Sequence, residues 1–205
     1  MPESAEEVYA RVTAEVEQRG RLPMPDVGGW ATFPWEVADG RVVPRRLAAP
    51  TDEPPRWGDA PDRPGGMCAG VDAQRAVWEN ERWVVTHEGA PSGLPLVLVL
   101  HTKEHLDYPD LDDELASEYG RISVWLTRIM ERLPHIGRVH VNRWGDGGSH
   151  FHVWFFARTQ RLADVLGSYA VEWDEILPPG PEEVWRADVA EVARRLATHD
   201  GRALA

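Results

Sequence analysis

The chain has 205 residues, a net charge of −12, and 42% hydrophobic and 27% charged residues. At roughly 100–200 residues per domain this is one domain with room for an arm, and the composition excludes disorder over the full length. The acidity argues against unspecific binding to a nucleic-acid backbone, although a few local donors suffice to hold one small anion.

The opening MPESAEEV lacks the basic-then-apolar pattern of a secretory leader. The most apolar run, Leu94 to Leu100, is far shorter than the roughly 20 residues of a membrane span, so no membrane partner is expected. One cysteine, Cys68, admits no internal disulfide and suits a reducing, cytoplasmic setting. Ten tryptophans are costly to expose, so some line a core or a pocket.

In chain order, Ser4 and Glu7 form a capping box ahead of Val8, Val12 and Val16, with Gly20 as the stop, which predicts a short amphipathic helix. Residues 20–66 hold 9 of the 17 prolines and 7 of the 18 glycines, a density that excludes long regular elements. Within it, Trp35 to Val43 reads as a hairpin on an Asp39-Gly40 turn. Residues 1–66 are therefore expected to be a helix and a Pro/Gly-rich arm packed on a core domain of residues 67–205.

Ala76 to Val85 reads as strand, tight turn, strand, and Pro95 to His101 as a central buried strand. Residues 110–133 carry apolar side chains at helical spacing up to Pro134, with Asp110, Asp112 and Asp113 as caps. Gly137–Arg143 and His150–Ala157 are two further strands around the loop Trp144-Gly-Asp-Gly-Gly-Ser149. A last helix starts near Pro181 and presents Trp185, Val189, Val192 and Leu196. Short connections predict an α+β domain, an antiparallel sheet with helices on one side.

The chemistry concentrates in His150-Phe-His152-Val-Trp154. Alternation along a strand puts His150, His152 and Trp154 on one face and Phe151, Val153 and Phe155 in the core. The glycine loop before them can aim several N–H groups at one anion. An imidazole beside such a nest is equipment for nucleophilic attack on phosphorus. A three-histidine metal site on His140, His150 and His152 is the alternative, and it leaves the glycine loop without a role. His101, alternating with buried leucines, reads as a satisfied strand histidine.

Asn142, the glycine loop, Ser149 and His-Phe-His-Val-Trp together resemble the signature of the histidine-triad (HIT) superfamily, which includes nucleotide hydrolases and the galactose-1-phosphate uridylyltransferase branch. Leu96 to His105 is similar to that family's apolar strand ending in a Lys-x-His turn, and the resemblance covers about residues 67–160. It implies a HIT-like antiparallel sheet with a long helix, here with the Pro-rich arm and a C-terminal helix added. It further implies a nucleotide hydrolase or transferase with His152 as the covalent nucleophile and His150 buttressing it. Asn142, Gly147, Gly148 and Ser149 would hold phosphate oxygens, Glu88 ribose hydroxyls, and His105 would stand behind His150. The partner is then a nucleotide or other phosphate-bearing small molecule, and the assembly a homodimer.

Two departures are visible. The third motif position is Trp154, which donates one hydrogen bond but carries no proton to a leaving group, leaving pocket wall and substrate stacking both open as its role. The loop is also shortened so that Ser149 directly precedes His150. Cys68, His105 and His150 match three of the four zinc ligands of some superfamily members, but Val71 stands where the fourth would be. The expectation is therefore no metal and no other cofactor, with loss of turnover as the alternative to catalysis.

Overall fold

A computed structural model describes residues 1–24, 33–60 and 72–205. Cys68, Val71 and the expected boundary at 66/67 lie outside them. The first helix, α1 (Ala5–Arg19), forms as its caps dictate: the Glu7 N–H donates to Ser4 Oγ and the Ser4 N–H to the Glu7 carboxylate. Gly20 ends it at φ 80°. Strands β1 (Trp35–Ala38) and β2 (Arg41–Pro44) are a separate antiparallel hairpin. Asp39 and Gly40 both take positive φ, as a two-residue hairpin turn of this hand requires.

The main sheet contains β3 (Ala76–Glu79), β4 (Trp83–His87), β5 (Leu96–Thr102), β6 (Ile136–Asn142), β7 (His152–Thr159) and β8 (Arg202–Ala203), in the order β6-β7-β5-β4-β3-β8 with every pairing antiparallel. Helix α2 (Asp113–Met130), capped by the Asp112 carboxylate on the Leu115 N–H, runs between β5 and β6. Helices α3 (Tyr169–Ile176) and α4 (Glu182–Leu196) follow β7.

Helices cover both faces of the sheet, not one as expected. On the first face α2 and α4 pack Ile122, Leu126, Trp185, Val189 and Leu196 against Trp83, Leu98, Leu100, Val153 and Phe155. On the second, Val12 of α1 and Ala170, Val171 and Trp173 of α3 pack against Val97 and Phe156. All seven residues of β5 are buried, the pattern of a strand covered on both sides. The C-terminal strand β8 pairs Ala203 with Trp78. Among the described residues no helix is long and apolar enough to cross a membrane.

Candidate functional site

The site lies where the second face meets the glycine loop. Strand β7 begins at His152, so His150 precedes the strand instead of opening it. Phe151 between them is driven inward by an aromatic cluster, with Trp83, Tyr108 and Tyr119 at 5.2, 5.6 and 5.5 Å between ring centroids. Phe151 is fully buried, and this fixes where its two neighbours emerge.

His150 is buried, not open to solvent. Its Nε2 lies 2.8 Å from the Thr102 carbonyl, which can only accept, so this nitrogen carries the proton. The His105 ring meets it edge-on at 5.4 Å. Burial depresses the His150 pKa against the pull of the Thr102 carbonyl, and His105 and His152 depress it further.

His152 is half-buried, and its Nδ1 donates to the His150 carbonyl at 2.7 Å. The proton therefore sits on Nδ1 and the Nε2 lone pair is available for reaction. Its ring passes Gly148: a Cβ built on Gly148 would lie 3.9 Å from His152 Cε1 and 3.8 Å from the Trp57 carbonyl.

Register brings in a histidine that sequence reasoning left in the core. His101 of β5 lies directly opposite His152, and its Nε2 is 3.1 Å from Thr86 Oγ1. Burial, reinforced by His150 and His152, pushes its pKa down to about 3, so this imidazole is neutral. Its signal was one of parity: it ends the Leu-Val-Leu-Val-Leu run on the face that Val97 and Val99 share.

Asn142 ends β6 opposite Trp154, a diagonal neighbour of His152 at about 7–8 Å. Trp154 is half-buried and stacks on Phe156 at 5.7 Å, beside the second-face cluster. Ser149 is buried, and both its N–H (2.9 Å) and its hydroxyl (3.3 Å) donate to the Trp57 carbonyl. Gly147 and Gly148 lie in the loop beside it, the former exposed. Glu88 stands apart from the histidines. It is four residues beyond Val84, the partner of His101, or on the order of 13 Å along the strand. Its carboxylate reaches solvent, yet desolvation by its surroundings raises its pKa, with Asp174 adding to the rise and Arg75 opposing it.

The three-histidine metal site does not form. His140 pairs with Phe156, four residues along β7 from His152, and His150 has its Nε2–H committed to Thr102. Among the described residues no group of three or more His, Cys, Asp or Glu converges to hold a metal.

Solved structures similar to this chain include three histidine-triad proteins. The nucleotide-binding one from Sulfolobus tokodaii shares 14% identity over 60% of this chain and 84% of its own, with a TM-score of 0.45. A Zn-bound member from Mycobacterium smegmatis shares 18% over 65% and 93%, at 0.44. One from Marinobacter aquaeolei shares 16% over 62% and 92%, at 0.47. No family model matches the sequence, and no curated protein does.

Proposed function

We propose that this protein is a nucleotide hydrolase or transferase that works through a covalent phospho-histidine on His152. One observation carries the proposal: the His150 carbonyl holds the His152 proton on Nδ1, which leaves the lone pair on Nε2, and the Cε1 edge of the same ring lies beside Gly148 of the glycine loop. In the step this supports, Nε2 attacks the α-phosphorus of a nucleotide. The Nε2–P bond forms as the bond from phosphorus to the leaving group breaks, and that group departs with the electron pair. Water or an acceptor phosphate then attacks phosphorus, the P–N bond breaks, and Nε2 recovers its lone pair. Loop N–H groups would meet the charge that develops on the phosphoryl oxygens. Trp154 supplies no proton, so the leaving group must take one from water or leave as a stable anion.

The same tryptophan favours a second reading, a protein that holds a nucleotide and does not turn it over, because an aromatic packed on Phe156 stands where a proton carrier would be needed. The two readings part on a panel of nucleoside phosphoramidates, dinucleoside polyphosphates and sugar nucleotides. Product formation that disappears in His152→Ala supports the enzyme. Thermal stabilisation by a nucleotide with no product, equal in His152→Ala, supports the binding protein.

A further inference from the structure

A segment of the N-terminal arm is joined to the glycine loop. Trp57 forms a parallel bridge with Gly148: its N–H donates to the Gly147 carbonyl at 3.0 Å, and its carbonyl accepts from the Ser149 N–H and hydroxyl. Next to it, Arg56 Nη1 donates to Asp107 Oδ2 at 2.7 Å and to the Gly145 carbonyl at 3.2 Å. Asp107 accepts on its other oxygen from Arg143 Nη2 at 3.0 Å, and the Arg143 guanidinium lies over the Tyr108 ring. Asp59 completes the turn by accepting from the Arg56 N–H at 2.9 Å, and its carboxylate also faces Ser149. Burial works against the charged Asp107, yet hydrogen bonds from Arg56, the Tyr108 N–H and Arg143 hold its pKa below the usual carboxylate range. The loop is thus tied at Gly145, Gly147 and Ser149 by one segment about 90 residues upstream.

This changes which loop groups are left for an anion. The Ser149 donors are spent on Trp57, while the Gly147 and Gly148 N–H groups donate to no described residue. We infer that residues 56–59 of the arm, with Asp107, are positioning residues of the site: they fix the glycine loop so that the Gly147 and Gly148 N–H groups, and not Ser149, receive a phosphate beside His152. The inference rests on the reading of the loop as a phosphate site, and it needs no covalent chemistry at His152. The bridge is made by backbone atoms of Trp57, so its N–H and carbonyl are the groups that tie the loop.

The test is a titration of the full chain with inorganic phosphate, followed by phosphorus NMR, alongside hydrogen exchange of the loop peptide. Trp57→Pro removes the N–H donor at unchanged charge, whereas Trp57→Ala keeps both backbone partners. Trp57→Pro is expected to speed exchange of the loop and weaken phosphate binding at least about fivefold, the scale of one lost hydrogen bond. Trp57→Ala, which keeps both backbone partners, and Ser149→Ala, which keeps its N–H on the Trp57 carbonyl, should each weaken binding less than Trp57→Pro does. Exchange over α2 serves as the internal control for a protein that has lost its fold altogether.

Tighter binding in Trp57→Pro would overturn the inference, because the arm would then be a plug occupying the anion site. Unchanged binding with faster loop exchange, unchanged exchange, a large loss in Ser149→Ala, or no phosphate binding by the parent would each overturn it too. Phosphate binding that follows the bridge, with no covalent adduct from any nucleotide, would sink the catalytic proposal and leave the positioning intact.

Discussion

Phe151 connects the fold to the site, and its removal should show this. Its ring is 1% exposed and sits among Trp83, Tyr108 and Tyr119, with Tyr108 stacked at 7° and the other two edge-on. Phe151→Ala deletes the ring from a packed core and leaves a cavity, a change that costs about 3–5 kcal/mol. The three aromatic contacts, worth roughly 0.5–1.5 kcal/mol each, argue for the upper half of that range. Against a total stability of about 5–15 kcal/mol this is a large fraction. Urea unfolding should show the midpoint falling at an unchanged slope, while Phe151→Leu, which keeps most of the volume, falls much less. A loss below about 1.5 kcal/mol in Phe151→Ala would refute the reasoning, since the aromatic cluster would then not be what sets the positions of His150 and His152.

Three further outcomes are expected. His101 and His150 both have folded pKa values below the ordinary histidine value, so the unfolded chain takes up protons that the folded one refuses. Their contribution is fully present above about pH 6.5 and is lost as pH falls toward the folded values, for His101 at about 1.4 kcal/mol per pH unit. His101→Leu should therefore remove about 2 kcal/mol from the fall in stability between about pH 7 and pH 5, and an identical pH profile would contradict it. Thr86→Val leaves the buried His101 Nε2 without the hydroxyl it meets at 3.1 Å and should cost about 1–3 kcal/mol by chemical denaturation. Gly201→Ala puts a Cβ 2.3 Å from the Glu79 carbonyl at φ +68°, so β8 should detach and the melting temperature fall by several degrees, with faster exchange confined to β3 and β8.

How far the sequence carried depends on the range of the interactions. The Ser4–Glu7 box, the Asp39-Gly40 turn and the Asp112 cap are written in adjacent residues, and the elements form there, although the helix expected over 110–133 spans only Asp113–Met130 and stops short of Pro134. The inward and outward sides of β7 were also legible, because Phe151, Val153 and Phe155 all pack in the first-face core. Alternation alone does not show that His150 is buried, because a long-range partner, the Thr102 carbonyl, draws it inward before the strand begins. The expectation of helices on one side missed a local signal: five consecutive Leu and Val residues from Leu96 to Leu100 fit a strand buried on both faces better than one open to solvent. Helix α3 and β8 lack the periodicity that marks α2 and α4, and β8 exists only because Trp78 and Glu79 offer it an edge. The bridge from Trp57 to the glycine loop spans about 90 residues and has no sequence signature at all.

The central claim is that His152 Nε2 becomes covalently bonded to phosphorus, and the intact mass of the protein tests it most directly. The full chain would be incubated with a nucleoside phosphoramidate, quenched without acid to preserve the P–N bond, and weighed beside His152→Ala. The account predicts a mass increase of one nucleotidyl group in the parent and none in the variant. An adduct that persists in His152→Ala, or turnover of the substrate with no adduct on the parent at any time point, would contradict it.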